Sequence, residues 1–168
     1  DAIKLMGDKI ESREFAAEHG IPIAPSARQN GSLEDFIKEA EIIGFPLLIK
    51  ASAGGGGKGM KIVNKKAELE ESIRVAASEA ERYFSDGRIY AEKLVVEPRH
   101  IEVQVLGDGE GGVVHLFERE CSIQRRYQKV IEESPAPNMP TKLRDEICSA
   151  AVRLTKAAKY KNAGTVEF

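Results

Sequence analysis

Apolar and polar residues alternate strictly through His100-Ile101-Glu102-Val103-Gln104-Val105, which puts Ile101, Val103 and Val105 on one face of a strand and His100, Glu102 and Gln104 on the other. A helical period takes over in other stretches. Leu69, Ile73, Ala76, Ala77 and Ala80 form one stripe and predict a long helix over residues 66–84. Residues 8–19 read as a helix with Asp8 as N-cap, Ile10, Phe15 and Ala16 among its apolar positions, and Gly20 as the stop. Ser32 caps another, with Leu33, Phe36, Ile37 and Ala40 on one face and Gly44 past its end. Residues 141–161 predict the last helix, with Leu143, Ile147, Ala151 and Leu154 inward.

Short apolar runs supply the remaining strands, at Leu47-Leu48-Ile49-Lys50, Met60-Lys61-Ile62-Val63, residues 89–96, residues 113–118 and Val130-Ile131-Glu132-Glu133. Ile21-Pro22-Ile23-Ala24-Pro25 is extended, because the residue before each proline is pushed out of the α region. Residues 120–129 are polar and charged. The order of elements is a βαββαβ unit over residues 21–95 followed by antiparallel strands, an α+β chain. Gly164-Thr165-Val166-Glu167-Phe168 reads as the middle of a strand, so the chain is expected to be a segment of something longer.

Between two of those strands lies Gly54-Gly55-Gly56-Gly57-Lys58-Gly59. Each glycine in an element interior costs about 0.5–1 kcal/mol relative to alanine, so five in six positions give up stability for another purpose. Close approach of backbone N–H groups to phosphate oxygens is that purpose, with Lys50 and Lys58 adding charge at either end. The dinucleotide fingerprint fits only by accident, since it needs a helix to follow and a β-branched strand follows here. A Walker A loop fails as well: Ser52 stands where its first glycine belongs, and Lys58 precedes Gly59 rather than serine or threonine. Strand, glycine loop and strand together make a phosphate-covering flap. A polyglycine linker is the bland alternative, and the apolar strands flanking the loop on both sides count against it.

Twenty-five basic and twenty-seven acidic residues in 168 give a net charge of −2, which argues against a dedicated nucleic-acid binder. Cys121 and Cys148 lie far apart with no metal-ligand spacing, as in a protein of a reducing compartment. The sequence has no 18-residue apolar run, signal peptide or lipidation motif, so no membrane partner is expected. Phosphate binding needs cations on several sides, and Lys9, Lys50, Lys58 and Lys129 are candidates. Lys50 stands out because it ends an apolar strand.

Gly7-Asp8-Lys9, Ile49-Lys50-Ala51 with the glycine loop and Met60, Glu92-Lys93, and Pro98-Arg99-His100-Ile101-Glu102-Val103-Gln104 belong together with later segments. Those are Glu118-Arg119-Glu120-Cys121-Ser122-Ile123-Gln124-Arg125-Arg126, Gln128-Lys129-Val130, Glu132-Glu133, Pro135-Ala136-Pro137 and the C-terminal Gly164-Thr165-Val166-Glu167-Phe168. In this order the set resembles the biotin carboxylase component of biotin-dependent carboxylases, which has the ATP-grasp fold. The resemblance runs the length of the chain. It implies a linker helix at residues 1–20, a lid subdomain at 21–95 and the first part of a C-terminal subdomain at 96–168.

The resemblance also implies roles. Lys9 and Lys50 would bind ATP phosphates while the N–H groups of Gly55, Gly56 and Gly57 close over them, with Lys58 and Met60 beside the nucleotide. The segment from Glu92 through Lys93 to Val95 would be a hinge strand reading adenine, with Glu92 accepting from its amino group. His100 and Gln124 would line the ribose and phosphate region, with Glu102 beside them. Glu167 would ligate magnesium or manganese, and Lys129 would act at bicarbonate and the γ-phosphate.

The implied reaction makes carboxyphosphate from ATP and bicarbonate and carboxylates biotin on a carrier domain, with a separate carboxyltransferase as the next partner. A homodimer and a cytoplasmic location, or a mitochondrial matrix one in a eukaryote, belong to the same expectation. Tyr127 departs from the histidine of some members. The family's second metal carboxylate, bicarbonate arginine and general-base glutamate would come after Phe168, so residues 1–168 alone are expected not to turn over. Another ATP-grasp ligase that activates bicarbonate, such as a carbamoyl phosphate synthetase, and an inert nucleotide-binding fragment are the alternatives.

Overall fold

The structure is a computed structural model that describes residues 2–53 and 59–168. The flap tip with Gly55, Gly56, Gly57 and Lys58 lies outside the described residues. Two helices open the chain, α1 (Ala2–Gly7) and α2 (Lys9–Glu18). Asp8 caps α2, its Oδ1 accepting from the N–H groups of Ile10 at 2.9 Å and Glu11 at 3.2 Å. The described chain divides into two compact units, one built from Gly7–Arg13 with Ile23–Val96, the other from Glu14–Pro22 and Glu97–Phe168 with the residues up to Met6.

The first unit runs β1 (Ser26–Arg28), α3 (Leu33–Ile43), β2 (Leu47–Ala51), β3 (Lys61–Val63), α4 (Leu69–Phe84) and β4 (Ile89–Lys93), the βαββαβ order read from the sequence. Its strands form an antiparallel sheet in the order β1-β4-β2-β3. Alternation sends Leu47, Ile49, Ala51, Ile89 and Ala91 to one face, where they pack with Phe36 and Ala40 of α3 and with Leu69, Ile73, Ala76 and Ala80 of α4. Both helices are held by this single core. Ser32 caps α3 by accepting from the Asp35 N–H at 3.1 Å, and Gly44 ends it at φ 79°, a left-handed conformation that glycine adopts without strain.

Two expectations differ in detail here. The long helix begins as a 3-10 turn, Lys66–Glu68, before α4. The strand expected over 89–96 ends at Lys93: the Leu94 N–H still reaches the in-register Pro46 carbonyl, but proline has no N–H to return the bond, and Val95 and Val96 are exposed. Val95 is therefore not on a hinge strand.

The second unit contains β5 (Ile101–Asp108), β6 (Val113–Arg125), β7 (Gln128–Glu133), α5 (Thr141–Ala157) and β8 (Lys161–Glu167). The sheet order is β7-β6-β5-β8, antiparallel throughout. Val103 and Val105 pack against Cys148 and Ala151 of α5, while Ala16 and Ile21 meet Ala150 and Leu154. Glu118 also points to the helix side, fully buried, and accepts from Arg144 Nε at 2.7 Å and the Ala136 N–H at 3.1 Å.

The charged stretch at 120–129 continues β6 through Arg125 and opens β7. Helix α5 stops at Ala157 rather than 161, since the Tyr160 N–H turns back to the Thr155 carbonyl and residues from Lys161 are taken by β8 pairing with β5. Leu143, expected inward, is exposed in the first turn of α5, and the buried stripe begins near Ile147 and Cys148.

Candidate functional site

The face of the first sheet opposite α3 and α4 carries Lys50 and Glu92. Lys50 lies one residue before the end of β2, and its ammonium is ion-paired with Glu92 Oε1 on β4. Arg13 of α2 reaches the same carboxylate, with Nη1 3.0 Å from Glu92 Oε2. Arg13 Nη2 donates to the Ala24 carbonyl at 2.6 Å, and its guanidinium lies 5.9 Å from the Tyr90 ring centroid. Burial, reinforced by the Glu92 charge, pushes the Tyr90 phenol above its ordinary pKa. Beside this group Asp8 takes a hydrogen bond from Ser52 Oγ at 3.4 Å and an ion pair from Arg88 at 3.3 Å. The strand alternation that builds the core on one side thus gathers a buried carboxylate and two cations on the other.

Lys9 opens α2. Lys93 is held at the C-terminal end of α3, its ammonium donating to the carbonyls of Gly44 at 3.1 Å and Phe45 at 2.7 Å. Carbonyls at a helix end need donors, which explains why this lysine turns inward. Met60 lies just before β3 and is half-buried.

In the second unit a charged ladder crosses all four strands on the face opposite α5. Glu102 of β5 is directly opposite Arg119 of β6 on one side and Glu167 of β8 on the other. Arg119 Nε donates to Glu102 Oε1 at 2.8 Å, Nη2 bonds to the same oxygen, and Nη1 donates to Gln104 Oε1 at 2.9 Å. Lys129 of β7 bonds to Glu102 Oε2 and, at 2.8 Å, to Glu167 Oε1.

Glu102 is 2% exposed, and burial opposes its ionisation; the hydrogen bonds from Lys129 and Arg119 outweigh that and hold its carboxyl below the ordinary range. Burial likewise works against the Lys129 ammonium, but Glu102 and Glu167 raise its pKa above the usual lysine value. Cys121, fully buried on this face, is pushed up by burial and by the Glu102 charge, so it stays a thiol.

His100 and Gln124 meet beside the ladder. Gln124 Nε2 lies 2.9 Å from the Cys121 carbonyl, which only accepts, so this atom is the amide NH2. The same nitrogen is 2.8 Å from His100 Nδ1, which therefore accepts and leaves the ring proton on Nε2. That nitrogen is buried without a hydrogen-bond partner among the described residues, 3.4 Å from Glu167 Oε1.

His100, Glu102 and Glu167 bring ligand atoms within 4.8 Å of one another. Nε2–H is a donor, and both Glu102 oxygens face cations, so Glu167 is the carboxylate of this group with room for a metal. A hard cation that takes one or two carboxylates and completes its shell with phosphate oxygens and water fits such a donor set.

The sequence-derived residues thus fall into two groups. Lys50 and Glu92 meet in the first unit; His100, Glu102, Gln124, Lys129 and Glu167 meet in the second. Arg13 and Arg119 were not singled out by sequence reasoning. Arg119 sits in a charged run, and only its pairing opposite Glu102 gives it meaning; Arg13 is one of several charges on α2.

Residues 8–168 match the sequence model of the family described as carbamoyl-phosphate synthase L chain, ATP binding domain. The chain is 48% identical to a pyruvate carboxylase of Bacillus subtilis over 99% of its length, and covers 14% of that protein. A biotin carboxylase from Campylobacter jejuni, solved as a β,γ-ATP complex, superposes with a TM-score of 0.94 at 45% identity, covering 99% of this chain and 38% of that one. The biotin carboxylase domain dimer of Hydrogenobacter thermophilus 2-oxoglutarate carboxylase, in complex with MgADP, ADP and bicarbonate, gives 0.93 at 42%, covering 99% and 37%. The chain therefore spans well under half of each of these relatives. Among the described residues, no helix is long and apolar enough to cross a membrane.

Proposed function

This chain belongs to the family of the carbamoyl-phosphate synthase L chain ATP-binding domain, and we propose that it is the ATP-binding part of a biotin carboxylase. Its α+β architecture is the ATP-grasp fold of the biotin carboxylase structures it matches. The observation that carries the reading is that agreement, over nearly the whole chain, with carboxylases solved with nucleotide, magnesium and bicarbonate.

In this reading the complete enzyme joins bicarbonate to the γ-phosphate of ATP, releases ADP, and passes the carboxyl group from carboxyphosphate to a ring nitrogen of biotin on a carrier domain. A carboxyltransferase then moves it to the final acceptor, and the enzyme works as a homodimer in the cytoplasm or the mitochondrial matrix. Phosphoryl transfer asks little covalent chemistry of the protein and much positioning and charge.

In the first unit, Lys50 and Lys9 supply cations to phosphates and Glu92 accepts from the adenine amino group. In the second unit, Lys129 offers its ammonium to the anionic substrates, and His100 and Gln124 present fixed polar groups beside it. Magnesium, held by Glu167, neutralises phosphate charge when bound. The pair of substrates is anionic, so the lysines and the magnesium answer the same need: letting bicarbonate approach a phosphate against charge repulsion.

The test is ATP hydrolysis by an enzyme containing this segment, measured with and without bicarbonate and biotin. Hydrolysis that requires both supports the reading. Bicarbonate-dependent hydrolysis indifferent to biotin would instead support a carbamoyl-phosphate-type ligase.

A further inference from the structure

We propose that Arg13 is a positioning residue for adenine recognition, holding Glu92 in place while Lys50 gives up Glu92 Oε1 to the 6-amino group of the purine. The inference rests on the assignment of Lys50 to phosphate and Glu92 to adenine in the proposed function. Each oxygen of the Glu92 carboxylate has its own cation: Lys50 bonds to Oε1, and Arg13 Nη1 lies 3.0 Å from Oε2. Two groups claim Lys50, since the carboxylate and the nucleotide phosphates both need its ammonium. When phosphate takes it, Oε1 becomes an open acceptor, and an amino group on the purine edge is a donor that completes it. What matters is which oxygen each cation occupies, not the sum of the charges.

Arg13 is built to keep the carboxylate still through that exchange. Its Nη2 donates to the Ala24 carbonyl at 2.6 Å, and its guanidinium lies 5.9 Å from the ring centroid of Tyr90, which shares a face of β4 with Glu92. The cation is thus fixed both to backbone and to the strand that carries its partner. The Glu92 side chain is 10% exposed, and a carboxylate so buried needs a cation at every stage. Arg13 Nε and Glu92 Oε2 are both buried without a hydrogen bond among the described residues, although the ion pair brings the two groups together. The pair therefore has unused capacity to tighten once Lys50 leaves, as a guanidinium fork on a carboxylate does. Asp8, the next acid beside this group, already has Ser52 Oγ and Arg88.

The test uses the intact enzyme that contains this segment and compares kcat/KM for ATP with that for inosine triphosphate, which carries a carbonyl oxygen in place of the 6-amino group. Bicarbonate- and biotin-dependent hydrolysis is the readout, with thermal melting as the control for folding. The parent is expected to prefer ATP. Arg13→Met is expected to lower that preference about tenfold, the scale of one hydrogen bond to a charged group, because Glu92 is then free to follow Lys50 toward the phosphates. Arg13→Lys keeps a cation beside the buried carboxylate but reaches Glu92 or the Ala24 carbonyl, not both, so a loss of about threefold is expected. This second variant decides the matter if Arg13→Met fails to fold.

A purely structural arginine predicts something else: a lower melting temperature, both nucleotides affected alike, and a preference for ATP equal to the parent's. An unchanged preference in Arg13→Met, or in Arg13→Lys where the first variant does not fold, overturns the inference while leaving the function intact. A parent that hydrolyses the two nucleotides equally well removes Glu92 from adenine and overturns the inference with that assignment. A parent enzyme with no bicarbonate- and biotin-dependent hydrolysis overturns the proposed function as well.

Discussion

Lys50 and Glu92 are diagonal neighbours on β2 and β4: the strand register sets Glu92 opposite Leu48 and Lys50 opposite Tyr90, and the two charges join across that step. In the proposed function both belong to nucleotide binding, so ATP must compete with this ion pair. Lys50→Ala is expected to cost about 2–4 kcal/mol of transition-state stabilisation, roughly 30- to 1,000-fold in kcat/KM for ATP. Folding should be nearly unaffected. Arg13, 3.0 Å from Glu92 Oε2, still neutralises the buried carboxylate, so the variant avoids the penalty of a bare buried charge. Steady-state kinetics and a melting curve check the two halves, and near-parental kcat/KM would remove Lys50 from the site.

The elements of the first unit are largely legible in its sequence. Its period-2 strands and 3.6-period helices are separated by clear punctuation at Ser32, Gly44 and Pro46, and local preference agrees with packing throughout. The second unit was harder, because its functional face is polar. Glu120 to Arg125 continue β6 although their charges mask the strand pattern, and residues 158–161 leave the helix because β8 gains seven paired positions on β5. Arg119 shows the limit most clearly. Its place opposite Glu102 is a property of register, and register between strands joined by the turn at residues 109–112 is not written in either strand alone.

Glu118 and Glu102 should make the protein acid-sensitive. Burial resists ionisation of each, yet hydrogen bonds from Arg144 and the Ala136 N–H to Glu118, and from Lys129 and Arg119 to Glu102, leave both carboxyls below their usual value of 4.5. A carboxyl whose folded pKa lies below its unfolded one contributes stability above the unfolded value and loses it as pH falls through the folded value. Stability is therefore expected to decline as pH drops below 4.5. Glu118→Gln should flatten part of that decline and cost about 1–3 kcal/mol at neutral pH, because the amide cannot reproduce the charge-assisted bond from buried partners. Chemical denaturation from pH 3 to 7 (roughly the span over which carboxylates titrate) tests this; an unchanged slope in the variant would exclude Glu118 as a source.

Gly107 marks where β5 meets the chain entering β8. A Cβ built there would lie 2.2 Å from the Tyr160 carbonyl oxygen, and that oxygen is backbone that cannot rotate aside. Gly107→Ala must push the start of β8 away from β5. A cost of about 1–3 kcal/mol is expected, as for other overpacked sites. The strain should travel along β8 toward Glu167, six register positions from Asp108 at the far end of the same pairing. A melting temperature equal to the parent's would show that the strands part there more easily than the geometry implies.

Glu167→Gln separates metal binding from stability. The Glu167 side chain is 56% exposed, and its bond to Lys129 at 2.8 Å is one of two that Lys129 makes. An ion pair that exposed contributes about 0–1 kcal/mol, and Lys129 keeps Glu102, so the melting temperature should move little. Magnesium is another matter. A neutral amide is a far poorer ligand for a hard dication than a carboxylate, and His100 offers Nε2–H, a donor, so it cannot replace the lost oxygen. The magnesium concentration for half-maximal ATP turnover is expected to rise about tenfold or more, on the scale of changes to ligands and their supports. The same shift should appear in calorimetric titration of the nucleotide-loaded enzyme with magnesium, which does not depend on turnover. Equal half-saturation in parent and variant would take Glu167 out of the metal's coordination shell and leave its bond to Lys129 as its role.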